Sequence, residues 1–204
     1  MNPALAGVAL AVVAGAAIAV SARNARTATF GLVIALILAP VIADPIPAAI
    51  GLAARLVGSV LAGYLMWIAT RGERVQTSGS LVGWPTEILL AAAAATVGFG
   101  VHDLGVPFHG PAPAAAAGLA LVALSVVPVV TGRDILRIGI GLSLLLTGSL
   151  LVVTSLDGTP GQLEQVLIAG LVASLGGAVA ILVVTGVSVE RARPDGPGRT
   201  PQAR

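Results

Sequence analysis

Residues 166–187 read VLIAGLVASLGGAVAILVVTGV, a run without a single charged side chain. An α-helix needs about 20 apolar residues to cross the roughly 30 Å hydrocarbon core of a bilayer, so this run predicts a transmembrane helix. Charged residues make up only 10% of the chain and hydrophobic residues 56%. A soluble domain is about one-quarter charged, so the composition predicts that lipid surrounds the whole chain.

Six further apolar segments precede this run, separated by charged residues or by proline and glycine. They are residues 4–20, 28–43, 47–70, 85–101, 113–131 and 135–155. The predicted fold is an all-α, polytopic transmembrane bundle of about seven helices, formed by residues 1–189 as a single domain. Residues 190–204 are charged and rich in proline and glycine, which predicts a disordered cytoplasmic tail.

The arginines predict how the bundle lies in the membrane. All eleven basic residues are arginine, and apart from Arg55 they fall on alternate inter-helix segments and on the tail. Basic residues collect in cytoplasmic loops, so the N-terminus is expected outside and the C-terminus in the cytoplasm. We therefore expect a multi-pass protein of the cell inner (cytoplasmic) membrane. The basic positions between spans are Arg23, Arg26, Arg71, Arg74 and Arg133, and Arg137 lies one turn into the sixth span.

Arg55 is the one arginine well inside a span, roughly 12 Å from its outer end at 1.5 Å per residue. A charge at this depth usually faces protein or a water-filled cavity and marks a functional site. One interpretation is a node in an ion or proton path, or a contact with another subunit. The other is a side chain that snorkels outward to Asp44 or Asp103.

Three spans carry small or hydroxyl-bearing residues at helical spacing, which is typical of faces where membrane helices pack closely. The hydroxyl groups of the sixth and seventh spans can bond across helices, and a polar pore lining is the less favoured alternative. The predicted packing residues are Gly51, Ser59 and Gly63 in the third span, Gly139, Ser143 and Thr147 in the sixth, and Gly170 and Ser174 in the seventh.

No self-contained active site is predicted. The chain has no cysteine, and no phosphate-binding loop, nucleophile elbow or zinc-binding helix motif occurs. His102, Asp103 and His109 share one outer loop and could bind a metal in principle, but ordinary solvated loop residues are the favoured interpretation. Glu87 lies at the start of the fourth span, where its carboxylate is expected to interact with the positive end of the helix dipole. We expect no catalytic residue, metal, cofactor or nucleic-acid partner.

The stretch Arg133-Asp134-Ile135-Leu136-Arg137, followed by Gly141, Gly148-Ser149 and Leu151-Val152, resembles the C-terminal half of hydrogenase-4 component E. That family of membrane subunits shares its last three helices with the K subunit of complex I and the C subunit of multisubunit cation/proton antiporters. The family places a glutamate two residues before the Gly-Ser pair, where this chain has Leu146. It also tends to carry a carboxylate in its seventh helix, where residues 166–187 have none.

The resemblance implies a non-catalytic membrane subunit of a hydrogenase, complex I-like or antiporter-like respiratory complex. Its partners would be the lipid bilayer and the proton- or cation-translocating subunits that it scaffolds. The alternative is an independent small multi-pass transporter or channel, which needs a polar site near the midplane. A membrane enzyme acting on lipids is a third class and would need clustered polar residues at one interface.

Overall fold

The structure is a computed structural model that describes residues 3–42, 48–71, 84–103, 111–132, 134–158 and 160–191. Seven α-helices follow one another in these ranges, and no strand occurs among the described residues. The helices are α1 (Pro3–Ser21), α2 (Ala25–Leu38, continued by the 3-10 turn Ala39–Ile42), α3 (Ala49–Ala69), α4 (Trp84–Asp103), α5 (Ala112–Thr131), α6 (Ile135–Asp157) and α7 (Gln162–Arg191).

The predicted all-α bundle is confirmed. Within the described ranges, six helices are long and apolar enough to cross a membrane, and α4 contributes the shorter apolar stretch Ile88–Gly98. The second crossing counts α2 together with its 3-10 turn, as Ala25–Ile42. The chain is therefore a multi-pass integral membrane protein.

Local sequence signals set the tight turns between helices. The side chain of Asn24 accepts a hydrogen bond of 3.0 Å from the backbone N–H of Arg26, which caps the start of α2. Gly158 ends α6 with a φ of 86°, a left-handed conformation that glycine adopts without a steric penalty. These two residues allow α1–α2 and α6–α7 to reverse direction over a few residues.

Glycine contacts bring neighbouring helices together backbone to backbone. A Cβ atom at Gly148 would lie 2.8 Å from the carbonyl oxygen of Gly118, so α5 and α6 have no room for a side chain at this crossing. Gly15 and Gly31 form the same kind of contact between α1 and α2. Close approach through small residues is the common way for membrane helices to gain van der Waals contact, because lipid offers little hydrophobic driving force.

The contacts between α3 and α7 show their relative direction. Gly51 near the start of α3 lies against Gln165 near the start of α7, and Ala62 lies against Gly176 further along both helices. The two helices therefore run parallel, as four successive reversals of the chain require. The side of the membrane on which the N-terminus lies stays a prediction.

Several predicted features fall at the edges of the described ranges. The backbone of α7 includes residues 190 and 191, which the sequence placed in the tail, and residues 192–204 lie outside the described part. Asp44, Arg74, His109 and Arg133 also lie outside it.

Candidate functional site

Arg55 lies in the interior of the bundle. It follows the start of α3 by six residues, about 9 Å at 1.5 Å per residue. Only 7% of its surface is exposed. It lines a small cavity between four helices, with Leu36 of α2, Ser59 of α3, Thr147 and Leu150 of α6, and Ile168, Ala169 and Val172 of α7.

The cavity is small and mostly apolar. Its volume is about 10 Å³, the lower limit for a single water molecule. The hydroxyl groups that line it already have acceptors, because Ser59 donates to the carbonyl oxygen of Leu36 at 3.3 Å and Thr147 donates to that of Ser143 at 2.8 Å. The cavity therefore has room for about one water molecule.

The predicted packing face of α3 encloses Arg55. Gly51 lies against the side chain of Gln165 on α7, and Gly63 lies against Val33 on α2. Gly58, one turn from Arg55, would place a Cβ atom 2.6 Å from the carbonyl oxygen of Ala169. The small residues thus contact two helices, α2 and α7, and this close approach removes Arg55 from lipid.

Arg55 has no hydrogen bond or ion pair among the described residues. No acidic side chain lines its cavity there. Of the two carboxylates to which it could snorkel, Asp44 lies outside the described residues, and the side chain of Asp103 is likewise not described. A guanidinium is a permanent cation and a hydrogen-bond donor only, so Arg55 supplies a fixed positive field and cannot relay protons by itself.

Gln165 is a polar residue of the same contact that the sequence did not single out. Its side chain is 1% exposed, and its Nε2 donates to the carbonyl oxygen of Pro160 at 2.8 Å. Its Oε1 is buried and has no partner among the described residues, which costs about 1–3 kcal/mol for a buried polar atom. The sequence did place Gln165 directly before the predicted seventh span, which would have allowed it to be included in the helix. It was left out because the predicted span begins at residue 166.

Arg137 is a second buried arginine, with 3% of its surface exposed. Its Nη2 donates a hydrogen bond of 2.6 Å to the carbonyl oxygen of Val20 in the last turn of α1. The last carbonyls of a helix have no partner within the helix. Arg137 therefore connects the end of α1 to the start of α6 by a hydrogen bond. The sequence did not predict this contact, because Arg137 was counted with the cytoplasmic basic residues.

The other residues of the predicted family stretch have mixed environments. Leu136 is buried in the core, whereas Ile135 is exposed. Gly141 packs against Val129 and Pro128 of α5, and Gly148 packs against Gly118. Ser149 is exposed and donates to the carbonyl oxygen of Leu146 at 2.9 Å. Arg133 lies outside the described residues.

The hydroxyl groups of Ser143 and Thr147 bond within α6 and not across to another described helix. Ser143 donates to the carbonyl oxygen of Gly139 at 2.9 Å, and Thr147 donates to that of Ser143. The hydroxyl groups of serine and threonine can donate to the carbonyl oxygen four residues earlier in their own helix. Gly139 does pack against another helix, since it lies against Val179 of α7.

The predicted packing residues of α7 lie exposed, away from the other helices that the structure describes. Gly170 and Ser174 are exposed, and a Cβ atom at Gly170 would meet no atom within 4 Å. The physical reason is that the opposite face of α7, with Ala169 and Gly176, is the one that packs against α3.

Comparisons with known proteins give no match. No protein-family model matches the chain, and no curated protein or solved structure is significantly similar to it. The resemblance of residues 133–152 to hydrogenase-4 component E therefore stays a prediction drawn from those residues alone.

Proposed function

We propose that this chain is a non-catalytic membrane subunit of a hydrogenase, complex I-like or antiporter-like complex, where it holds the helices of a cation-translocating subunit in place. The observation that carries the proposal is the exposed stripe on α7. Gly170, Ser174 and Ala178 follow one another at four-residue spacing on the surface of the chain. In membranes, such stripes of small residues are typical contact faces for a second helix.

The position of the stripe relates it to Arg55. Ala169 and Val172, on the other side of α7, line the Arg55 cavity. A helix bound at the stripe would thus be separated from Arg55 by one helix, whose diameter with side chains is about 10–12 Å. Because Arg55 is enclosed by its own chain, it acts on such a neighbour through its field and not by direct contact.

The field of Arg55 across α7 is large enough to matter. Two unit charges about 10 Å apart interact by about 1.7 kcal/mol at an effective dielectric constant of about 20. A positive charge of this kind stabilises a carboxylate in a neighbouring helix and disfavours a cation close to it. Arg55 would therefore bias the occupancy of an ion path in the partner without lying in that path.

The family resemblance supports a scaffold in preference to a proton relay. Leu146 stands where the resembled family has a glutamate, and it is partly buried against the apolar core. A leucine cannot carry a proton. The chain would then contribute packing surfaces and one fixed charge, while proton or cation transfer takes place in its partners.

The experiment is purification of the full, tagged chain from its native membrane in mild detergent, with partners identified by mass spectrometry. We expect membrane subunits of a cation-translocating complex to co-purify. The variant Gly170→Leu should lose them, because leucine fills the stripe. Gly7→Leu is the matched control, since Gly7 of α1 is also exposed and a Cβ atom there meets no atom within 4 Å.

Two results would contradict the proposal. One is a chain that purifies folded and alone and moves an ion across liposomes, which would establish the independent transporter. The other is retention of the partner subunits by Gly170→Leu to the same extent as by Gly7→Leu, which would remove the stripe as the contact face.

A further inference from the structure

A groove lies between α2 and α3 on the surface of the bundle, the α2–α3 groove. Its volume is about 570 Å³. Val33 and Gly63, which touch each other, belong to its lining and join its two walls. The lining residues are Arg26, Thr27, Thr29, Phe30 and Val33 of α2, and Val60, Gly63, Tyr64 and Trp67 of α3.

The walls of the groove are apolar and uncovered. Phe30 is 66% exposed, Val60 52% and Tyr64 54%. Single exposed apolar residues are expected on any membrane helix. Here they line a concave surface whose volume is in the usual range for small-molecule sites, about 300–1,000 Å³. A flexible hydrocarbon chain fits such a surface.

Positive charge marks one end of the groove. Arg26 lines it at the start of α2, and Arg71 follows the end of α3. The Cζ atom of Arg71 lies 3.5 Å from the centre of the Trp67 ring, which is itself part of the lining. Both arginines are exposed, and neither forms an ion pair among the described residues. This end of α2 and α3 faces the cytoplasm in the predicted orientation.

We propose that the α2–α3 groove binds one anionic phospholipid of the cytoplasmic leaflet. One acyl chain lies against Phe30, Val60 and Tyr64, and the phosphate group is held by Arg26 and Arg71. Charge complementarity selects this occupant. The cytoplasmic leaflet carries anionic lipids, and basic pockets between helices on that side bind their head groups. The planar guanidinium matches a phosphate with two hydrogen bonds, and stacking on Trp67 holds that of Arg71 in place.

Native mass spectrometry of the full chain tests the proposal. The protein is exchanged into mixed micelles containing phosphatidylglycerol and phosphatidylcholine in equal amounts, and the lipids retained on each molecule are counted. We expect one phosphatidylglycerol to be retained in preference to phosphatidylcholine. Arg26→Gln combined with Arg71→Gln should weaken this retention about twenty-five-fold, because each basic residue near an anionic surface contributes about fivefold.

Matched variants distinguish lipid binding in the groove from general effects of charge and side-chain size. Val60→Trp fills the groove and should abolish retention, whereas Val57→Trp should not. Val57 is on the same helix and is 66% exposed, but it does not line the groove. Arg199→Gln combined with Arg204→Gln removes the same charge from the tail and should leave retention unchanged. Arg26→Lys combined with Arg71→Lys keeps both charges but loses the planar guanidinium groups, so its retention should lie between those of the unmodified chain and the glutamine variant.

Three outcomes would overturn the proposal. They are equal retention of the two lipids, equal loss with Val57→Trp and Val60→Trp, and a helix of another protein cross-linked to residue 30 in the native membrane. The melting temperature of every variant in detergent is measured alongside, so that loss of lipid is distinguished from loss of fold. The inference does not depend on which complex, if any, contains the chain.

Discussion

Arg55 and Arg137 are both buried in apolar surroundings, yet their environments differ. Arg137 is 3% exposed and donates to the carbonyl oxygen of Val20, at the negative end of α1. Arg55 is 7% exposed and has no partner among the described residues. Burial alone therefore does not give the role of a charge. Arg137 donates to a carbonyl oxygen at a helix end, a contact that stabilises the fold. Arg55 has no such contact within the described ranges, and a buried charge without one is expected to lower stability.

The largest expected effect comes from removing the hydrogen bond between Arg137 and Val20. Arg137→Gln should lower the free energy of unfolding by about 2 kcal/mol, the usual contribution of a hydrogen bond to a charged group. Unfolding of the purified chain in detergent measures this change. Arg199→Gln is the control, because it removes the same charge from the predicted tail. Equal stability of the two variants would show that the bond to Val20 is not a structural contact.

Substitution of Arg55 is expected to change the free energy of unfolding in the opposite direction. Arg55→Leu should raise the free energy of unfolding by about 1 kcal/mol, because an apolar side chain replaces a buried charge that has no partner among the described residues. The same variant should weaken assembly of the proposed complex or its proton coupling, and both are measured in vesicles carrying its subunits. A loss of stability would reveal a partner for Arg55 and erase the contrast with Arg137. Unchanged complex yield and coupling would refute its functional role.

A smaller effect tests the contact that encloses Arg55. Gly51→Ala places a methyl group on Gln165, which must turn away and give up its hydrogen bond to Pro160. We expect a loss of about 1 kcal/mol in the free energy of unfolding from that bond. Gly7→Ala serves for comparison, since alanine at this exposed helix position should stabilise by up to about 1 kcal/mol. Equal changes in the free energy of unfolding for Gly51→Ala and Gly7→Ala would mean that the side chain of Gln165 can move aside without a loss of stability.

The smallest effect concerns Ser59. Ser59→Ala should cost about 0.5 kcal/mol, at the low end for a hydrogen bond, because the bond to Leu36 is long at 3.3 Å. The informative quantity is the double-mutant cycle with Arg55→Leu. A coupling energy above about 0.5 kcal/mol would show that Ser59 helps to stabilise the guanidinium, and additivity would show that it does not.

Sequence patterns predicted the fold more fully than the site. The apolar run 166–187 lies within α7, and the other six predicted spans coincide with helices to within a few residues. Span length is set by bilayer thickness, so a single sequence carries this information. Gln165 was missed because it lies one residue before a predicted boundary, and helix ends are the least certain part of such predictions.

Side-chain partners were predicted less well for a physical reason. A small-residue stripe indicates that helices can approach, but the same spacing occurs on faces that meet lipid. Gly58 faces another helix of the chain, while Gly170 faces outward. The hydroxyl groups of Ser143 and Thr147 bond within α6, since their own helix offers an acceptor without help from a neighbour.

The sequence by itself determined that this chain is a helical protein of the membrane, because the energy of exposing its apolar segments to water leaves no other solution. It also predicted that Arg55 lies in a span. The tertiary structure decided that Arg55 is enclosed by four helices, that Arg137 closes the end of α1, and that the α7 stripe lies open. These facts depend on which faces meet, and that is settled by packing between segments distant in the chain.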